Sequence, residues 1–262
     1  MTKPVLSIIT VSFQAEKELQ TTIDSILAQT WKHFEYIVID GGSNDGTMEL
    51  LKRTSSLFTQ AGISHHFLSE PDRGIYDAMN KGSRIACGQW LLFLNAGDLL
   101  ADNQVLEQVF RIPSESQILY GDTLCIYQGS IKLYPALPLE RLCYEMAFCH
   151  QSAFIRRELL LKYPYDLTYR VCADHFFFLS MYLKQKVFEY RPFPIAIYEI
   201  SGYSDSNKVL SHQEKRQMQK ELGVFHPGPV WLLREIRFYI SQGLKMLFGQ
   251  RLIDLVRKNR LR

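Results

Sequence analysis

The chain has 262 residues, of which 47% are hydrophobic and 22% charged, with 15 Gly and 10 Pro. This is globular composition with enough chain for a sizeable core, and it excludes wholesale disorder and collagen-like repeats. A formal net charge of +3 makes no case for a nucleic-acid partner.

Residues 5–11, rich in β-branched side chains, read as a buried strand, and 16–29 as a helix with Leu19, Ile23, Ile26 and Leu27 on one face. Residues 34–39 form a second predicted strand, ending in the turn signal Asp40-Gly-Gly-Ser-Asn-Asp-Gly46. A helix over 47–57, a short strand over 66–69, a helix over 74–86 and a strand over 90–94 follow. Strands alternating with helices imply a parallel sheet wrapped by helices across the first 110 residues. Beyond them, 118–122 and 131–134 read as strands, with a hairpin around Gln128-Gly129, and 156–162, 173–184 and 208–222 as helices. His226-Pro-Gly-Pro229 is the clearest boundary, after which Leu233, Ile236, Ile240, Leu244 and Leu247 repeat at helical spacing. The expected division is therefore 1–228, with halves 1–110 and 111–228, and a helical extension over 229–262.

That extension holds eight Lys/Arg and two acids, so the tail is basic and the body mildly acidic. Five cysteines without a C-x-x-C pair point to free thiols in a reducing compartment. No signal-peptide layout and no uncharged apolar run of spanning length is found, and the expected location is cytoplasmic.

In open parallel sheets, ligands bind beyond the carboxyl ends of the strands. Asp40, Asp72 and Asp98 fall at or just after three such ends; a single aspartate in a turn is more often only a turn former or cap. The residues around them are recognisable. Pro4-Val-Leu-Ser-Ile-Ile-Thr-Val-Ser-Phe13, Tyr36-Ile-Val-Ile-Asp-Gly-Gly-Ser-Asn-Asp-Gly-Thr47, Ser69-Glu-Pro-Asp-Arg-Gly-Ile-Tyr-Asp-Ala-Met-Asn-Lys-Gly82 and Leu92-Phe-Leu-Asn-Ala-Gly-Asp98 stand in order. Together they resemble family 2 glycosyltransferases over residues 4 to about 200.

The resemblance implies a GT-A-like α/β fold, a mainly parallel sheet flanked by helices. It also implies an inverting transfer of a sugar from a nucleotide-sugar, a UDP-sugar in preference, to an acceptor hydroxyl. On the donor side it singles out Thr10 and Ser12 at the end of the first strand, Asp40 and Asp72 for the nucleoside, and Arg73 for a phosphate. Lys81 is a further phosphate candidate, or else a solvated helix lysine, and Asn95 and Ala96 belong to the donor loop. Asp98 ends the segment resembling the family's metal motif, which holds Mg²⁺ or Mn²⁺ against the donor diphosphate. The segment departs from that pattern: Asn95-Ala-Gly-Asp98 supplies a single carboxylate, which leaves strict dependence on the ion open. The bland alternative for Asp98 is a cap for a helix around Gln104.

On the acceptor side Ala173-Asp-His-Phe-Phe-Phe-Leu179 resembles the segment carrying the base, which makes Asp174 that base, with a plain helix cap as alternative and His175 as a lesser candidate. His150 and Gln151, in Cys149-His-Gln-Ser152, would hydrogen-bond acceptor or sugar hydroxyls, unless His150 is a core histidine. The implied acceptor is a saccharide or polyprenyl-linked glycan in surface-polysaccharide assembly.

The tail joins an apolar stripe and Trp231, Phe238, Tyr239 and Phe248 to basic residues. This fits an anionic membrane surface, with the protein peripheral on the inner face; the alternative is a helix pair packed on the body. Two other functions remain in view. A sugar-phosphate nucleotidyltransferase would want a glycine-rich basic loop after the first strand, where this chain has Ser12-Phe-Gln-Ala-Glu16. A non-catalytic nucleotide-sugar-binding scaffold finds support in the single carboxylate of the metal motif.

Overall fold

The computed structural model describes residues 3–127, 129–199, 207–228, 233, 235–240 and 243. Strands β1 (Leu6–Ser12) and β2 (Phe34–Asp40) are buried at every position. That is why both are rich in apolar and β-branched residues, the mark of strands covered on two faces. They pair in parallel, Leu6 opposite Phe34 through Ser12 opposite Asp40. On the outer side of β2 runs β3 (Ser64–Ser69), and on the other side of β1 runs β4 (Trp90–Phe93), both again parallel. The intervening helices are α1 (Glu16–Leu27), α2 (Thr47–Gln60) and α3 (Ile75–Ile85). Helix α3 comes so close to the sheet that a Cβ at Gly82 would stand 2.5 Å from Ile9 Cγ2.

The second half adds β5 (Leu99–Leu100), α4 (Val105–Phe110), β6 (Ile118–Tyr127), β7 (Ser130–Tyr134), β8 (Ala153–Arg156), α5 (Arg157–Lys162), α6 (Ala173–Leu183), β9 (Phe188–Glu199) and α7 (Lys208–Glu221). The sheet order is β3-β2-β1-β4-β8-β6-β9-β5, with β7 paired to β6. Antiparallel pairings enter here: β8 runs against β4 and β6, β5 against β9, and β7 against β6, whereas β6 and β9 are parallel. The core under the sheet gathers Leu6, Ile8, Tyr36, Val38, Leu92 and Phe154 with Leu19, Ile23 and Ile26 of α1.

Three differences from the sequence reading have plain causes. Strand β3 starts at Ser64 because Ser64 and His65 still pair with Glu35 and Tyr36. Strand β9 holds Pro192 and Pro194, which argue against a strand; the register shifts between Gly121 and Thr123 of β6 absorb them. Helix α4 begins after Gln104 with no side-chain cap, and the Asp98 carboxylate accepts from Gln151 instead, so Asp98 is not that helix's cap.

All five cysteines are free. Among the described residues no helix is long and apolar enough to cross a membrane. The chain forms two compact units, Met1–Met218 and Gln219–Arg262, which divide inside α7, ahead of His226-Pro-Gly-Pro229. In the second unit, 235–240 are helical, and Leu233, Ile236 and Ile240 are exposed. Trp231, Leu244, Leu247, Phe248 and the terminal basic cluster lie outside the described residues.

Candidate active site

Because β1 to β4 are parallel, their carboxyl ends share one edge of the sheet. Strand β8 runs against β4, with Phe154 opposite Leu92 and Arg156 opposite Trp90, so its beginning lies at that same edge. The short 3-10 turn His150–Ser152 that leads into β8 is thereby delivered to the ends of β1 and β4. Helix α3 starts there too, after Asp72-Arg73-Gly74. Topology alone thus assembles residues from five separate stretches of chain.

On the donor side the expected residues divide into those already engaged and those left open. Thr10 is fully buried and donates its hydroxyl to Leu94 O at 2.7 Å, bracing β1 against the end of β4. Asp40 is also fully buried. Its carboxylate accepts the N–H groups of Gly42 and Ser43 and the hydroxyls of Ser43 and Ser69, and so shapes the loop after β2. The Ala96 N–H goes to Val11 O. Lys81 reaches back to Glu70 Oε1 and Pro71 O, both at 2.9 Å.

Ser12, Asp72 and Arg73 are the open ones. Ser12 is 6% exposed and its Oγ has no hydrogen-bond partner. Asp72 uses Oδ1 for the Gly74 N–H, while its Oδ2 stands over Gly41, 2.8 Å from where a Cβ would be. Arg73 keeps a 77% exposed side chain, with one 3.4 Å contact to Asp77.

Sequence reasoning missed Phe13. Its ring is 64% exposed at the end of β1 and, like Asp72, approaches Gly41, with Cδ2 3.2 Å from the same would-be Cβ. An aromatic left in solvent immediately after a fully buried strand was the available signal.

The acceptor-side residues form one connected cluster. His150 stands between Asp174 and Asn95: Nδ1 is 3.3 Å from Asp174 Oδ2, and Nε2 is 3.3 Å from Asn95 Nδ2. Gln151 donates from Nε2 to Asp98 Oδ2 at 3.2 Å. Asp174 Oδ1 accepts the Tyr76 hydroxyl at 2.9 Å and the His175 N–H at 2.8 Å. Tyr76, from the first turn of α3, also escaped the sequence reading. His175 itself points away, its Nε2 2.7 Å from Leu142 O.

Burial shapes the charges of this cluster, and the partners decide the outcome. Burial pushes the Asp174 carboxyl up, but the His150 hydrogen bond and charge, with Tyr76 and the His175 N–H, hold it below the usual carboxylate value. Burial pulls His150 down, and the Asp174 carboxylate with the charges of Asp98 and Cys149 raises it above its ordinary value. Asp98 has weaker support: burial drives its carboxyl up to about 6 against the opposing charge of His150 and the Gln151 hydrogen bond. Asp174 is therefore held as a carboxylate, the form a base requires.

Among the described residues no group of three or more His, Cys, Asp or Glu is placed to hold a metal ion. A divalent cation still has suitable hard donors here. Asp98 offers a buried carboxylate that is costly to ionise, and Asn95 Oδ1 is a buried acceptor without a hydrogen-bond partner. Further oxygens would have to come from a phosphate ligand.

Comparisons with known proteins bear on the family and the fold. Residues 7–187 match the family described as Glycosyl transferase family 2. A Mycobacterium bovis protein named PGL/p-HBAD biosynthesis glycosyltransferase is 33% identical over 230 residues, 86% of this chain and 88% of that protein. S. aureus TarS 1-349, solved in complex with UDP-GlcNAc, superposes with a TM-score of 0.65 at 15% identity, over 94% of this chain and 76% of that one. The mannosyltransferase PcManGT from Pyrobaculum calidifontis, solved with GDP-Man and Mn²⁺, gives 0.64 at 17% identity, over 87% and 66%. These likenesses establish the fold as GT-A. By the extent of the family match and the mycobacterial relative together, the chain belongs to glycosyl transferase family 2.

Proposed function

We propose that this protein is an inverting glycosyltransferase that moves a sugar from a nucleotide-sugar, a UDP-sugar in preference, to an acceptor hydroxyl in surface-glycan assembly. The observation that carries the reading is the chain Asn95–His150–Asp174–Tyr76, which stands a buried carboxylate at the edge of the sheet where the donor-side residues end. The nucleobase would lie on the exposed Phe13 ring, with Asp72 and Ser12 Oγ turned to the nucleoside, and Arg73 free to pair with the diphosphate. Asp40 acts by shaping the loop that carries Gly41, and Thr10 by fixing the end of β1.

The acceptor oxygen attacks the anomeric carbon from the face opposite the diphosphate. A new C–O bond forms as the bond to the phosphate oxygen breaks, the electron pair leaves with the diphosphate, and the acceptor proton passes to Asp174. One displacement inverts the anomeric centre. Tyr76 and the His175 N–H occupy Asp174 Oδ1, so the proton goes to Oδ2, beside His150. Asp98 and Asn95 Oδ1 would hold a divalent cation, which when bound neutralises charge on the departing diphosphate. UDP as the carrier nucleotide is supported by the TarS complex with UDP-GlcNAc, and a biosynthetic role by the name of the mycobacterial relative.

A thermal-shift panel of nucleoside diphosphates and nucleotide-sugars, each with and without Mn²⁺, tests the donor site. The expected result is a shift for uridine nucleotides that grows with Mn²⁺. No shift with any nucleotide at saturation would contradict the reading. In the same assay Phe13→Ala should weaken UDP binding about tenfold or more, the scale of a lost base–aromatic stack. Its melting temperature should hold, because the ring buries little surface.

We assign catalysis to residues 1–228 and membrane contact to 229–262, on the cytoplasmic face. Each Lys or Arg near an anionic leaflet contributes about 1 kcal/mol, and the exposed Leu233, Ile236 and Ile240 supply apolar contact. Full-length protein should float with phosphatidylglycerol vesicles, and a chain ending at residue 228 should not. Equal flotation of both would contradict the assignment.

A further inference from the structure

The loop that delivers Asp174 to the site is held by Glu214, a residue far along the chain from it. Glu214 of α7 is 5% exposed, and its carboxylate accepts three successive backbone N–H groups: Arg170 at 2.7 Å, Val171 at 2.9 Å and Cys172 at 2.9 Å. Successive amides converging on one anion make a strong, charge-assisted anchor. Cys172, the residue that opens α6, supplies no side-chain cap of its own, and its Sγ lies 3.5 Å from Ser211 O and Oγ on the preceding turn of α7.

The other side of the same peptide is held by α3. Val171 O accepts the Tyr76 hydroxyl at 2.8 Å, and that hydroxyl is also 2.9 Å from Asp174 Oδ1. Tyr76 has one proton for these two acceptors. Where Val171 O stands therefore decides how much of that proton Asp174 receives, and Glu214 decides where Val171 O stands.

We propose that Glu214 is a positioning residue for the transfer step: through the Val171 peptide and Tyr76 it sets both the place of Asp174 and the hydrogen bond that Asp174 accepts. The inference rests on Asp174 being the base. It makes α7, which contributes no group to the cluster itself, part of what determines turnover.

The test is a double-mutant cycle on UDP release from UDP-GlcNAc and UDP-glucose with Mn²⁺, water serving as acceptor. Glu214→Gln keeps the shape but leaves a single acceptor oxygen, and should lower kcat about 10- to 100-fold, the scale of a small misplacement of a reacting group. KM for the donor should stay within about twofold, because uniform binding is untouched. In a Tyr76→Phe background the same substitution should cost markedly less, since the two act through one hydroxyl. Glu214→Asp, which keeps both oxygens, should recover part of kcat, and it replaces Glu214→Gln in the cycle if that variant fails to fold. An unchanged kcat in folded Glu214→Gln, or equal losses in both backgrounds, would overturn the inference. The wild-type rate, measured alongside, tests the glycosyl-transfer reading by itself.

Discussion

Asp174→Asn is expected to lower sugar transfer by about 10²- to 10⁴-fold, the range spanned by loss of a general base, while UDP binding stays unchanged. The asparagine keeps the shape of the side chain and can still accept from Tyr76, so α6 and its loop remain in place. It cannot take a proton from the acceptor hydroxyl. The donor-side residues Phe13, Ser12, Asp72 and Arg73 make none of the hydrogen bonds that hold Asp174, which is why binding and turnover should separate. Steady-state kinetics with calorimetric titration of UDP reads both. A turnover equal to wild type would remove Asp174 from the mechanism.

Asp98→Asn should make the ligand-free protein more stable while abolishing or severely reducing transfer. The native carboxyl takes up its proton at about 6, against an ordinary 3.8, with burial as the main cause. A raised carboxyl means that the folded state binds more protons than the unfolded one between those values. Stability is therefore lost as pH rises from about 4 through 6, and the full cost persists at pH 8. That cost is on the order of 2–3 kcal/mol, and each kcal/mol moves the melting temperature of a chain this size by about 2–4 °C. Melting temperatures of wild type and Asp98→Asn should differ clearly at pH 8 and converge as the pH falls below about 4. A variant less stable than wild type at pH 8 would show that the carboxylate is supported rather than strained. The trade is the one expected of a site kept for a cation and a diphosphate rather than for the fold.

The first half of the fold was legible because β1, β2 and β4 are buried along their whole length and α1 buries one face. Continuous runs such as Leu6–Ser12 and the 3.6-residue spacing of Leu19, Ile23 and Ile26 carry those two environments directly. The second half was less so. Strand β9 keeps two prolines by means of a shift in β6, which lies about 70 residues away in sequence and leaves no local trace. The site shows the same division. Asp98 and Asp174 stand out by motif, whereas Tyr76 and Glu214 matter only through partners 98 and 43 residues away, Asp174 and Val171. No periodicity encodes such contacts. Asp40 and Thr10 were legible as strand-end positions, whereas the hydrogen bonds they make, Asp40 accepting from Ser69 and Thr10 donating to Leu94 O, join distant segments and leave no local trace.

In the mechanism proposed above Asp174 takes the acceptor proton in one displacement, and one displacement inverts the anomeric centre. The anomeric configuration of the sugar first released from an α-linked UDP-sugar, followed by proton NMR before mutarotation, decides this. The β-anomer is the predicted product. Initial appearance of the α-anomer would contradict base-assisted single displacement at Asp174.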